Sequence, residues 1–283
     1  MENTRTKTTR NSLILLLTAA IWGMAFVSQS KGMDYMHPFT FNGVRSLIGA
    51  ASILVYILIS RKIAGDKAAP LDWKLNVKAG LLCGIFLTIA STLQQFGIKY
   101  TSVGKAGFIT TLYIIFVPMF GIFLKKKVAP VVWAAAVMAA VGMYLLCMTE
   151  SLRLGAGDIM VFLCAIAFAI QIMTVDHYAA RIDGAVVSCI QFTVCGVVCC
   201  IGALIWGQPT FGQLQEGLGA LLYAGVLSCG VGYTLQIVGQ KGLNPTVAAL
   251  IMSLESVIAT ISGWIAYKIG FLTTDQTLTA RQI

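Results

Sequence analysis

Residues 92–126 read TLQQFGIKYTSVGKAGFITTLYIIFVPMFGIFLKK, and residues 234–268 read TLQIVGQKGLNPTVAALIMSLESVIATISGWIAYK. Slid by 142 positions, the second stretch falls on the first without a gap. Ten of the 35 positions are identical: Thr92 with Thr234, Leu93 with Leu235, Gln94 with Gln236, Gly97 with Gly239, Lys99 with Lys241, Ala106 with Ala248, Ile109 with Ile251, Leu112 with Leu254, Gly121 with Gly263 and Lys126 with Lys268. Both copies are apolar apart from a few polar side chains. The chain therefore carries an internal duplication, and the duplicated unit is made for lipid.

Composition agrees. The 283 residues are 58% hydrophobic and 11% charged, with a mean hydropathy of +0.83. Soluble domains carry roughly 25% charged residues, and no segment here is polar enough to be one. The net charge of +9 does not point to nucleic acid, because the basic residues flank apolar runs instead of clustering on one polar face.

A helix needs about 20 apolar residues to cross a bilayer. Nine runs qualify: 11–29, 39–60, 76–98, 103–124, 129–148, 157–176, 185–206, 217–238 and 245–267. Short polar connections leave no room for an extramembrane catalytic domain. Arg5, Lys7 and Arg10 precede the first run in the manner of a signal peptide, but its length and the eight spans that follow read as an uncleaved helix.

With the N-terminus in the cytoplasm, thirteen Lys and Arg fall inside (Arg5, Lys7, Arg10, Arg61, Lys62, Lys67, Lys74, Lys78, Lys125, Lys126, Lys127, Arg181, Lys241) and six outside (Lys31, Lys99, Lys105, Arg153, Lys268, Arg281). That bias favours this orientation in a cytoplasmic (inner) membrane. The repeat begins on the third and eighth spans. An offset of five spans is odd, so the copies cross the membrane in opposite directions, as an inverted repeat. Such repeats supply two opposed arrangements of similar parts and hold a solute where the halves meet.

The chain resembles the EamA-type drug/metabolite transporter superfamily. The resemblance rests on Ala20-Ile21-Trp22-Gly23-Met24-Ala25-Phe26-Val27, Arg45, Gly107-Phe108-Ile109-Thr110-Thr111-Leu112-Tyr113 with Val117-Pro118, and, more strongly, on Tyr233-Thr234-Leu235-Gln236, Gln240-Lys241, Ala248-Ala249-Leu250-Ile251, Ser253-Leu254-Glu255-Ser256-Val257 and Gly263-Trp264. It implies an all-α membrane bundle of two inverted five-helix repeats, a first at 1–150 and a second at 156–283, around a central substrate cavity. The Leu278-Thr279-Ala280-Arg281-Gln282 turn matches the resemblance after about six extra residues, and the chain stops at Ile283 where a tenth helix is expected. The expectation is a fragment or a truncated product with nine spans, and a C-terminus outside. The family analogy favours export.

Two full charges lie within spans. A charge at mid-membrane costs about 2.5–3.5 kcal/mol on insertion scales, so Arg45 and Glu255 must face the bundle interior. There they either touch a solute or form a structural pair with each other. Arg45 suits a carboxylate; Glu255 suits a cationic group or a proton. Neutral polar candidates are Thr92 and Gln95, with Ser91 and Gln94 beside them, Thr111 and Tyr113 with Thr110, Tyr233 and Gln236 one turn apart, Trp22, and Gln171 with Thr174. Aromatic walls with a few amides and hydroxyls are how solute cavities are built; interhelical hydrogen bonding is the structural alternative for any one of them. The candidate substrate-binding set is Trp22, Arg45, Thr92, Gln95, Thr111, Tyr113, Tyr233, Gln236 and Glu255.

Other features read as structural. Pro118 predicts a bend in the fourth span. Asn244-Pro245 and Ser102 read as helix starts, and Gly80 and Gly84 permit close helix approach. The eight cysteines (Cys83, Cys147, Cys164, Cys189, Cys195, Cys199, Cys200, Cys229) lie in apolar spans without Cys-x-x-Cys or histidine partners, and read as reduced thiols acting as small hydrophobes. No metal or cofactor is expected, and the lack of a GxxxxGK[ST] loop argues against ATP-driven transport. His37 and His177 lack the company of a catalytic base, which argues against an intramembrane enzyme. The reading is a secondary transporter of a small organic solute, an amino acid or related metabolite, with the lipid bilayer as surroundings and proton coupling open to it through Glu255. The alternative is a truncated or non-transporting membrane interaction protein. No motif sets an oligomeric state.

Overall fold

The computed structural model describes residues 4–65, 70–123, 130–147, 155–273 and 276. Lys67, Lys125, Lys126, Lys127, Arg153, Arg281 and the turn at 278–282 lie outside them. The fold is all-helical: α1 (Thr4–Gly32), α2 (Pro38–Ala64), α3 (Trp73–Ile98), α4 (Val103–Thr111), α5 (Tyr113–Phe123), α6 (Pro130–Cys147), α7 (Ala156–Tyr178), α8 (Gly184–Gly202), α9 (Phe211–Glu216), α10 (Leu218–Leu222), α11 (Tyr233–Gln240), α12 (Pro245–Met252) and α13 (Glu255–Lys268). Wider π-helical turns at Ala203–Gly207 and Tyr223–Gly232 extend α8 and join α10 to α11. Eight helical runs among the described residues are long and apolar enough to cross a membrane. The fifth expected span is α6, an 18-residue helix about 27 Å long at 1.5 Å per residue.

A belt of exposed apolar side chains, including Leu54, Val55, Ile59, Ile85, Val197 and Leu204, is what a lipid-facing surface requires. Inside, Phe26, Phe41, Leu87, Phe192 and Met252 are fully buried. The first helix of each half packs on the other half. Helix α1 lies against α11, α12 and α13; α7 lies against α3, α4 and α5. Helices α2 and α8, equivalent by the repeat, pack on each other. Gly80 and Gly84 work as expected: an added Cβ would stand 2.6 Å from Ile190 at the first and 2.9 Å from Val194 at the second, so α8 sits close on α3.

The fourth and ninth spans are not continuous. The fourth breaks between α4 and α5 at Leu112, the ninth between α12 and α13 at Ser253 and Leu254. Shifting by 142 carries Val103 to Pro245, Leu112 to Leu254, Tyr113 to Glu255 and the cap Ser102 to Asn244. Both caps form: Ser102 Oγ accepts from Lys105 N, and Asn244 Oδ1 accepts from Thr246 N at 2.9 Å. The breaks share a local feature. Thr111 Oγ1 donates to Phe108 O at 2.9 Å, and its equivalent Ser253 donates to Leu250 O at 2.8 Å. Hydroxyls that bond back to the preceding turn bend helices, and the following backbone bonds tighten to i−3 at Leu112 and Leu254. The proline expected to bend this span, Pro118, lies within α5. The discontinuity between α4 and α5 lies six residues earlier, at Leu112, next to the Thr111 back-bond.

Candidate functional site

The breaks open the middle of two facing spans and put Tyr113 and Glu255 at the first positions of α5 and α13. There the Tyr113 hydroxyl donates to Glu255 Oε1 at 2.9 Å. Glu255 is 3% exposed and stands at a helix start, where free N–H groups favour an acid.

Both residues line a central cavity between the halves. Its walls are Trp22, Ala25, Phe26 and Gln29 from α1, Arg45 from α2, Leu87, Ser91 and Gln94 from α3, Thr110 and Tyr113 from the fourth span, Phe168, Gln171 and Ile172 from α7, Phe192 from α8, Ser228, Cys229, Tyr233 and Gln236 from the eighth span, and Glu255. About 40 Å³ is left for the centres of water molecules, room for roughly three waters. A solute of several heavy atoms enters only if these walls move.

Arg45 is 5% exposed. Its Nε donates to Asn42 Oδ1 at 3.0 Å, and its guanidinium lies over the Phe41 ring, 5.6 Å from the centroid. Arg45 and Glu255 share the cavity but form no ion pair with each other among the described residues; their partners are Asn42 and Tyr113. A buried cation and a buried acid thus face one space separately, and the structural-pair alternative falls away. Trp22 and Tyr233 form an aromatic wall with ring centroids 4.6 Å apart, and Phe192 meets Tyr233 edge-on at 4.9 Å. The Trp22 indole donates to Ser228 O at 3.4 Å, a carbonyl of the π-helical segment.

Of the nine candidates, Trp22, Arg45, Tyr113, Tyr233, Gln236 and Glu255 line the cavity. Thr92, Gln95 and Thr111 do not. Thr92 sits behind the wall, bonded to Cys199 Sγ at 3.4 Å. Gln95 is fully buried and donates to Gln29 O at 3.2 Å, tying α3 to α1. Thr111 serves the helix break. Ser91, Gln94, Thr110 and Gln171, named beside the nine, also reach the cavity, whereas Thr174 bonds back to Ile170 O and faces an apolar groove with Leu82 and Phe120. Cys195 and Cys199 are not merely small hydrophobes: Ser46, Ser91, Thr92 and Asn42 hydrogen-bond to their sulfurs, at 3.2 Å from Asn42 Nδ2 to Cys199.

Sequence reasoning missed Gln29, Phe26 and Phe168. The signal was available. Ala25-Phe26-Val27-Ser28-Gln29 and Ala167-Phe168-Ala169-Ile170-Gln171 share Ala-Phe-x-x-Gln at the same offset of 142. The offset therefore reaches back to the first span of each half. It pairs twelve of the nineteen wall residues: Phe26 with Phe168, Gln29 with Gln171, Leu87 with Cys229, Ser91 with Tyr233, Gln94 with Gln236 and Tyr113 with Glu255.

Fold and cavity together define a multi-pass membrane protein built from a repeated helical unit around a buried polar site. The chain belongs to the EamA-like transporter family, whose model matches residues 10–148 and 155–275. An uncharacterized transporter of Archaeoglobus fulgidus is 30% identical over 171 residues, 58% of this chain; the match spans 48% of that protein, less than half its length. The uncharacterized transporter YwfM of Bacillus subtilis is 27% identical over 256 residues, 89% of this chain and 84% of its own. A protein of known crystal structure, 17% identical, superposes with a TM-score of 0.72 over 94% of this chain and 90% of its own, which establishes likeness of fold.

Proposed function

We propose that the protein is a secondary transporter, not an enzyme, that moves a small organic solute by alternating access, with export of an amino acid or related metabolite as the best-supported direction and cargo. The observation that carries this reading is the wall shared by the two repeats, with Arg45 and Glu255 facing one space without pairing. A guanidinium on one wall suits a carboxylate, a carboxylate on another suits an ammonium group, and the Trp22–Tyr233 pair gives the apolar remainder a surface. The repeats at 1–150 and 156–283 are proposed as the two moving bodies. The charge bias supports a cytoplasmic membrane with the N-terminus inside. Proton coupling is assigned to Glu255.

The test is counterflow. Purified protein in liposomes is loaded with a mixed pool of amino acids, nucleobases and small amines, and trapped labelled solutes are read by mass spectrometry. Selective exchange of one class is expected. Correctly inserted protein that exchanges none would overturn the transport reading in favour of a non-transporting interaction protein.

A further inference from the structure

Four cavity amides make two equivalent couples. Gln29 and Gln171 are 142 positions apart, as are Gln94 and Gln236, and all four line the cavity. The couples are in different states. In the second half, Gln236 Nε2 donates to Gln171 Oε1 at 3.2 Å. In the first half, Gln94 Nε2 donates instead to Thr110 Oγ1, also at 3.2 Å, and Gln29 Oε1, like Gln236 Oε1 in the second, is buried with no hydrogen-bond partner among the described residues. The residue equivalent to Thr110 is Met252, whose thioether is a poor acceptor, so Gln236 lacks the alternative open to Gln94.

We propose that the two couples are made in turn. In the state facing the other side, Gln94 leaves Thr110 and donates to Gln29, and Gln236 releases Gln171. This rests on the alternating-access reading. Halves related by a two-fold axis in the membrane plane reverse the way the molecule faces when they exchange conformations. Because Met252 gives Gln236 no alternative acceptor, the state is marked by the choice Gln94 makes between Thr110 and Gln29. A buried amide oxygen without a donor is destabilising; the exchange moves that cost from Gln29 Oε1 to Gln171 Oε1 and leaves Gln236 Nε2 to the cavity. The four glutamines act as positioning residues for the alternation, whichever solute is carried.

The experiment is hydrogen exchange by mass spectrometry on the full-length protein in lipid nanodiscs. It is read at the connections 99–102 and 241–244, which the odd span offset puts on opposite faces. Gln236→Leu deletes the couple that is made, and Gln29→Leu deletes the acceptor of the couple that is not. Gln236→Leu is expected to change exchange in the two connections in opposite senses, by roughly fivefold, as for ordinary coupling between sites. Gln29→Leu is expected to reverse both signs, and the double variant to return toward wild type. Should a leucine variant fail to fold, Gln236→Asn and Gln29→Asn, too short to span the couple, replace it. Changes of the same sign in both variants, or no change in either folded variant, would overturn the proposal. Opposite shifts in a protein that exchanges no solute by counterflow would sink the transport reading and leave the switch standing.

Discussion

Tyr113 and Glu255 are 142 residues apart, occupy the same place in the two repeats, and hydrogen-bond to each other at 2.9 Å. Two equivalent positions touch only where the axis relating them passes. The bond therefore sits on that axis, and exchanging the conformations of the halves maps it onto itself. On the alternating-access reading proposed above, it is a fixed point about which the remaining walls would rearrange.

Tyr113→Phe deletes the hydroxyl and leaves the ring. A buried hydrogen bond to a charged group is worth about 1.5–3 kcal/mol, so counterflow is expected to slow at least tenfold in a protein that still folds. Unchanged flux together with an unchanged melting temperature would remove the bond from the mechanism.

Glu255→Gln keeps the size of the side chain and an acceptor for Tyr113 but cannot release a proton. Flux driven by a pH gradient is expected to vanish while solute exchange persists. If both survive at wild-type rates, Glu255 carries no proton.

Gly232 has no side chain because Trp22 fills its place: an added Cβ would lie 2.6 Å from the indole Nε1. Gly232→Ala is expected to push the indole off Ser228 O and off the Tyr233 ring. The overpacking costs about 1–3 kcal/mol, read as a lowered melting temperature and a shifted tryptophan emission. A melting curve that superposes on wild type would contradict the close approach.

His37 caps α2 outside the membrane-spanning segments, its Nδ1 accepting from Phe39 N. Partial burial and the nearby Lys99 charge hold its pKa below the ordinary histidine value. The folded protein thus prefers neutral His37, and the cap's contribution is full above the unfolded pKa and declines as pH falls through the folded one. His37→Asn, a cap that does not titrate in this range, is expected to flatten the fall in melting temperature between pH 7 and pH 5. An equally steep fall in the variant would assign it elsewhere.

Most of the architecture was legible because lipid is an unforgiving solvent. The nine apolar runs correspond to nine helical runs among the described residues, since runs of about 20 apolar residues satisfy their backbone in lipid as helices, and closed β-barrels carry a different, alternating pattern. Arg45 and Glu255 were legible for the same reason, as charges that must face inward. What sequence periodicity hid was local competition for backbone groups. The hydroxyls of Thr111 and Ser253 look like any polar residue on a cavity face, yet they bond back to Phe108 and Leu250 where their spans break. Thr92 and Gln95 were similarly ambiguous: helical reach puts them near the cavity, but a rotation of less than one turn settles whether a side chain opens into it or ties two helices behind it. Gln29 is hidden because identity between the repeats thins out around the first span of each half, where Ala-Phe-x-x-Gln is the shared remnant.

The exchange of α1 and α7 between the halves bears on how the molecule is made. Phe26 and Val27, on α1, pack in one cluster with Ala259 and Ala266 of α13, more than 230 residues further along the chain. At the ribosome these side chains wait for more than 230 further residues to be made before their partners exist. The first half, for its part, lacks a wall until α7 has been threaded into the bilayer. Neither half reaches its final packing by itself, so a chain interrupted between them yields two incomplete pieces that recover the fold only by finding each other in the membrane.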